Sequence, residues 1–217
     1  MKTALSLMLA LCGAFSSAQA QELKGDAAAG AKINAQCIGC HGISGYQASF
    51  PEVYKVPMIS GQNAKYIVAA LDAYKKGERK HPTMHAVAAS LSEQDIADLA
   101  AYYATHGTPT PAPETPAVQP TPEVVALLAK GACVSCHGPN FSKPIDGSYP
   151  KIAGQHADYL YAALKSYKVE GNANVGRGNA IMAGQVKQFS LAELKAMAKY
   201  IGSLPSEVHT VAQSKLR

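Results

Sequence analysis

The chain has 217 residues, 47% of them hydrophobic and 16% charged, with a formal net charge of +5. That length is generous for one small domain and comfortable for two. Past the N-terminus no segment approaches the ~20 apolar residues a transmembrane helix needs, so composition excludes an integral membrane protein once that end is removed.

Residues 1–20 are of a different kind from the rest. Lys2 precedes an apolar run from Ala4 to Phe15, and Ser16-Ser17-Ala18-Gln19-Ala20 ends in a small-x-small cleavage site, which predicts a secretory signal and an exported, soluble mature protein. Cys12 lies within the signal after Leu11. A lipidated cysteine would follow a small residue, so Cys12 is read as removed.

Residues 21–107 form a first unit. A helix is predicted from Asp26 to Cys37, running into Cys37-Ile38-Gly39-Cys40-His41. A second helix carries Tyr66, Ile67, Ala70, Leu71 and Tyr74 on one face and stops at Gly77. Met84 follows in a loop, and Ser92 with Asp95 then opens a last helix that buries Ile96, Leu99 and Tyr103. Residues 108–121, with five prolines from Pro109 to Pro120, read as an extended, semi-rigid linker unable to pack a core.

Residues 122–217 repeat the order. Thr121 and Pro122 open a helix that ends near Cys133, followed by Cys133-Val134-Ser135-Cys136-His137. Tyr159, Leu160, Ala163, Leu164 and Tyr167 mark the next helix, which is expected to stop at Gly171. Met182 is placed in a loop, and Ser190 with Glu193 caps a helix burying Leu194, Met197 and Ile201. Cys37 to Cys133 is an offset of 96, Gly61-Gln62 to Gly154-Gln155 of 93, and Met84 to Met182 of 98. One unit has been duplicated, and with no stretch alternating at a period of two the expectation is an all-α chain of two tandem domains.

The two pentapeptides carry the chemistry. Residues three and four apart are neighbours on a helical turn, so Cys37 and Cys40, or Cys133 and Cys136, can reach two haem vinyl groups while His41 or His137 points at the iron. A thioredoxin-like dithiol would need a strand-helix-strand setting, and a structural zinc would need four ligands at finger-like spacing; neither is present. Two covalent c-type haems are therefore predicted. Each domain of about 90 residues is small enough for its haem to form part of the core.

The far face of each iron needs its own ligand, and methionine sulfur there stabilises reduced iron. Met84 lies 43 residues after His41 and Met182 lies 45 after His137, while their flanking residues differ. They are the predicted sixth ligands. Met58 is a rival whose counterpart is Lys151, Met197 reads as core, and His81 and His85 read as exposed rivals without partners in the second unit.

With these residues in view, the chain resembles the dihaem cytochromes c of the cytochrome c4 type. The resemblance rests on both CxxCH motifs followed by Gly42 and Gly138, the Pro-x-Ile-x-Gly-Gln segments from Pro57 and Pro150, Gly77-Glu78-Arg79, and the run from Leu91 to Tyr103. It implies that the Pro57 and Pro150 carbonyls accept hydrogen bonds from His41 and His137, and that Arg79 and Arg177 lie near haem propionates. It also implies a periplasmic electron carrier between membrane respiratory complexes, a quinol-oxidising complex upstream and a haem-copper terminal oxidase downstream. A dihaem peroxidase would need an open iron, which paired methionines argue against. An electron-transfer subunit of a periplasmic dehydrogenase is the other alternative.

Charge bears on partners. Residues 21–107 hold eight Lys/Arg and eight Asp/Glu, whereas residues 121–217 hold eleven and six. Four ionised haem propionates would bring the mature protein to about zero, leaving no basic footprint for nucleic acid. The C-terminal surplus suggests instead a steered encounter with an acidic partner through Lys165, Lys168, Lys187 and Lys195.

Overall fold

The computed structural model describes residues 23–107, 110–116 and 118–212. The predicted signal and Cys12 lie outside the described residues.

The expected opening helix is two helices meeting at Asn34. Asp26 caps α1 (Ala27–Ile33) by accepting from the Ala28 amide, and α2 (Ala35–His41) carries the whole first CxxCH motif. The short hairpin of β1 (Gln47–Ala48) and β2 (Tyr54–Lys55) follows. Next comes α3 (Ala64–Lys75), closed by Gly77 at φ +73°, a left-handed position that glycine takes without a Cβ penalty. After β3 (Arg79–Lys80), Met84 sits on α4 (Pro82–Ala89), a short helix where a loop was expected. The predicted capping box is present at the start of α5 (Glu93–Thr105).

The second unit follows the same plan with α6 (Pro122–Lys130), α7 (Val134–His137), α8 (Ala157–Ser166), β4 (Gly176–Arg177), α9 (Ala180–Lys187) and α10 (Leu191–Gly202). Thr121 caps α6 and Ser190 with Glu193 forms the capping box of α10, as predicted. Helix α8 ends at Ser166, well short of Gly171. Met182 again lies on a short helix.

Each unit closes its core with its last helix. In the first, Ile67, Leu91, Ile96, Leu99 and Tyr103 pack together. Gly30 lets α1 lie directly on α5, for a Cβ there would stand 2.2 Å from the Asp98 carbonyl oxygen. In the second, Val124, Leu127, Phe141, Phe189, Leu194, Met197 and Ile201 form a larger cluster.

The segment read as an unpacked linker lies against the second unit. Ala112 is buried, the Asn140 side-chain amide donates to the Pro113 carbonyl, and Tyr200 donates its hydroxyl to Val118. Proline-rich chain cannot form a core alone, but its free carbonyls are ready acceptors for a neighbouring surface.

The units join about a pseudo-twofold relation that sequence reading missed. Gln62 donates to the Lys151 carbonyl and accepts from its amide, both at 2.9 Å. Gln155, its repeat counterpart, makes the same pair with Met58 at 2.8 and 3.0 Å. Strands β3 and β4, one from each unit, pair antiparallel with Arg79 opposite Arg177.

Candidate functional site

A cavity of about 540 Å³ runs through both units, lined by the two CxxCH motifs, Met84, Met182, Arg79 and Arg177. Each motif is held from both sides: α2 or α7 carries the histidine, and the Pro-x-Ile-x-Gly-Gln segment supplies its partner. His41 Nδ1 lies 2.8 Å from the Pro57 carbonyl oxygen, and His137 Nδ1 lies 3.1 Å from that of Pro150. A carbonyl only accepts, so Nδ1 carries the hydrogen and Nε2 keeps its lone pair for a metal. Burial lowers the pKa of both imidazoles, against the raising effect of those carbonyls, which favours the neutral form a ligand must have.

The four cysteines are free and half-buried, none paired with another. Burial pushes the Cys37 thiol up to about 11 and raises that of Cys133. Such thiols are neither activated redox nucleophiles nor preformed metal thiolates. Among the described residues no group of three or more His, Cys, Asp or Glu could hold a metal ion by itself.

Met84 and Met182 both line the cavity, each at the third position of its helix. The turn that presents them is built alike: Met84 donates its amide to His81 Nδ1 at 3.4 Å, and Met182 donates to Asn179 Oδ1 at 3.0 Å. His81 is thus a half-buried helix cap, not the exposed residue expected, and exposed His85 turns its Nδ1 to the Tyr74 carbonyl. Met58 and Met197 also line the cavity, the latter buried in the core.

Where the units meet, the cavity is flanked by arginine and tyrosine. Arg79 donates to Tyr66 at 3.2 Å and to Tyr159 at 2.7 Å, and Arg177 donates to the same Tyr159 hydroxyl at 3.0 Å. Burial alone would raise the Tyr159 phenol, but Arg177 and Arg79 outweigh it and bring it down to about 8. Sequence reading assigned Tyr66 and Tyr159 to core faces; their matched places in the repeat, 93 residues apart, were the available signal of a shared role. Arg79 Nε is buried with no partner in the protein. Two guanidiniums with phenols for company and an unused N–H call for an anionic group, and the same cavity is lined by thiols, imidazoles and methionine thioethers, a donor set that fits haem with its carboxylates.

Comparison with known proteins agrees. The cytochrome c family model matches residues 27–106 and again 124–205. Cytochrome c4 of Azotobacter vinelandii is 32% identical over 194 residues, covering 83% of this chain and 90% of that protein, and cytochrome c4 of Thiocapsa roseopersicina is 33% identical over 196 residues, covering 83% and 93%. The crystal structure of reduced cytochrome c4 from Pseudomonas stutzeri superposes with a TM-score of 0.60 at 28% identity, over 83% of this chain and 99% of that one. Two matched domains, each with its own cysteine pair and carbonyl-bonded histidine, place the chain in the cytochrome c family among the dihaem cytochromes c4, electron carriers with two covalently bound haem c groups.

Proposed function

We propose that His41 and Met84 ligate one haem iron and His137 and Met182 the other, with Cys37, Cys40, Cys133 and Cys136 forming the thioethers, in domains spanning 21–107 and 122–217 joined by 108–121. The observation that carries this reading is the matched geometry of the halves: each histidine is tied through Nδ1 to a proline carbonyl, and each methionine sits at the third position of a capped short helix on the same cavity. Haem supplies one-electron iron chemistry when bound. The chain's own residues anchor it, hold the imidazole rings in one orientation, keep water off the irons, and set Arg79 and Arg177 against its carboxylates.

The electrons pass, on this reading, through the periplasm from a quinol-oxidising complex to a terminal oxidase. No helix among the described residues is long and apolar enough to cross a membrane. A second donor class has specific support. A relative from Stutzerimonas stutzeri, 31% identical over 179 residues, is named a thiosulfate dehydrogenase electron acceptor. A haemochrome assay and an optical redox titration test the haem count and ligation, and should give two haems with low-spin His/Met spectra. Stopped-flow reduction by a quinol-oxidising complex or by thiosulfate dehydrogenase decides the donor: the faster and saturable reaction identifies it, and reduction by neither removes both assignments.

A further inference from the structure

One position of the last helix stands on the cavity wall in both units and is filled differently in each. The Tyr103 carbonyl accepts from the Gly61 amide at 2.8 Å and the Ile201 carbonyl from the Gly154 amide at 2.9 Å, so the two residues hold matched places in α5 and α10. Both are buried, at 3% and 6% exposed, and both line the cavity. One is a phenol and the other is hydrocarbon.

Hydrocarbon would suit the packing around Tyr103 as well. Its buried neighbours in the core are Ile67, Leu91, Ile96, Leu99 and Ala100, none with a polar side-chain atom. The Tyr103 hydroxyl is buried with no hydrogen-bond partner. Leaving such a group unpaired costs about 1–3 kcal/mol. His106 is committed elsewhere: its ring meets Tyr103 edge-on, with 5.8 Å between centroids, while its Nδ1 is 3.0 Å from Ser60 Oγ. Cys37 is the other neighbour, packed against the same cluster and lining the same cavity. Burial first, and next the Cys37 thiol, raise the Tyr103 phenol far above its ordinary range, so the oxygen keeps its hydrogen. The phenol in turn offsets part of what burial does to Cys37.

We propose that Tyr103 tunes the haem of the first unit by donating its hydroxyl hydrogen to the Cys37 thioether sulfur, raising that haem's potential by a contribution the second haem, with Ile201 in the matched place, does not receive. The inference rests on the attachment of haem through Cys37. A thiol adds across a vinyl double bond with its hydrogen passing to the outer vinyl carbon. The sulfur is left with two carbon bonds, two lone pairs and no hydrogen, so it can only accept. A hydrogen bond received there draws electron density from the ring edge, and the positive end of the O–H dipole favours reduced haem, which carries one positive charge fewer. Ile201 can exclude water and nothing more.

The reduced, haem-loaded full chain should show the Tyr103 hydroxyl proton as a slowly exchanging NMR resonance with an Overhauser contact to the Cys37 β protons. In Tyr103→Phe, a redox titration followed by NMR reads each haem through its own resonances. The reduction equilibrium of the first haem should shift about three- to tenfold toward the oxidised form, the size of one net hydrogen bond, and that of the second by less than about twofold. Fragmentation mass spectrometry of the haem peptide separates the two ways of failing. Cys37 found as a free thiol would overturn attachment and tuning together. With Cys37 bonded, an unmoved first potential, equal shifts at both haems, or a hydroxyl proton that exchanges too fast to observe or contacts a group other than Cys37 would each overturn the tuning alone.

Discussion

Met84 and Met182 share a residue environment closely enough to make parallel predictions. On the ligation proposed above, replacing either with alanine removes a thioether that favours reduced iron, so the potential of that haem alone should drop and its iron should bind added imidazole or cyanide. A redox titration with difference spectra checks this; an unchanged spectrum in Met84→Ala would give the ligand role to Met58, whose backbone is held by Gln155 and whose side chain lines the same cavity. Tyr159 is the other residue whose neighbours set its importance. It accepts from two guanidiniums, one from each unit, whereas Tyr66 accepts from one. Tyr159→Phe should thus cost more stability in guanidinium denaturation than Tyr66→Phe, by about 1–2 kcal/mol for the extra charged hydrogen bond. Equal losses would mean that the arginines find other partners.

At the scale of elements, signals confined to a few neighbouring residues were legible and signals that depend on distant contacts were not. Both capping boxes could be read because Ser92 with Asp95, and Ser190 with Glu193, are complete in four residues. Ser190→Ala should lower stability by about 1 kcal/mol without altering the haem spectrum, as thermal denaturation would show. Helices α4 and α9 were read as loops. At eight residues each they are too short for apolar periodicity to declare them, and neither start has the acidic third residue of a capping box, a place held by Met84 in one and Met182 in the other. The close approach at Gly30 was invisible for a different reason, since only the packing of α1 on α5 requires it. Gly30→Ala places a Cβ against the Asp98 carbonyl and should force the two helices apart, destabilising the first unit by about 1–3 kcal/mol. A denaturation midpoint unchanged by this substitution would show that α1 can shift without cost. Of the candidate site, the cysteines, histidines and methionines came from spacing, while the tyrosine partners of the arginines came only from the fold.

For the whole molecule, the repeat has produced two matched units and an interface in which like segments meet, and this changes what the surplus of lysine in the second unit can mean. Lys165 is ion-paired with Glu52 of the first unit and lies over the Tyr161 ring, 4.4 Å from its centroid. Lys168 donates to the carbonyls of Val186, Lys187 and Phe189, tying down the end of α9. Both are occupied in holding the protein together, whereas Lys187 and Lys195 are exposed. The four lysines that sequence alone grouped as one docking face thus divide in two. Steering by exposed charge weakens with salt, because interactions beyond about 10 Å are screened at 0.1 M ionic strength. Charge reversal at Lys187 and Lys195 should accordingly slow electron transfer with an acidic partner most at low salt and leave the unfolding midpoint alone. Reversal at Lys165 sets two carboxylates against each other across the interface, so it should loosen the units and show no preference for low salt in its effect on rate. Stopped-flow rates against ionic strength, with denaturation of each variant beside them, separate the two. Rates indifferent to salt and to reversal at Lys187 and Lys195 would remove the steering role and leave the C-terminal surplus to solubility alone.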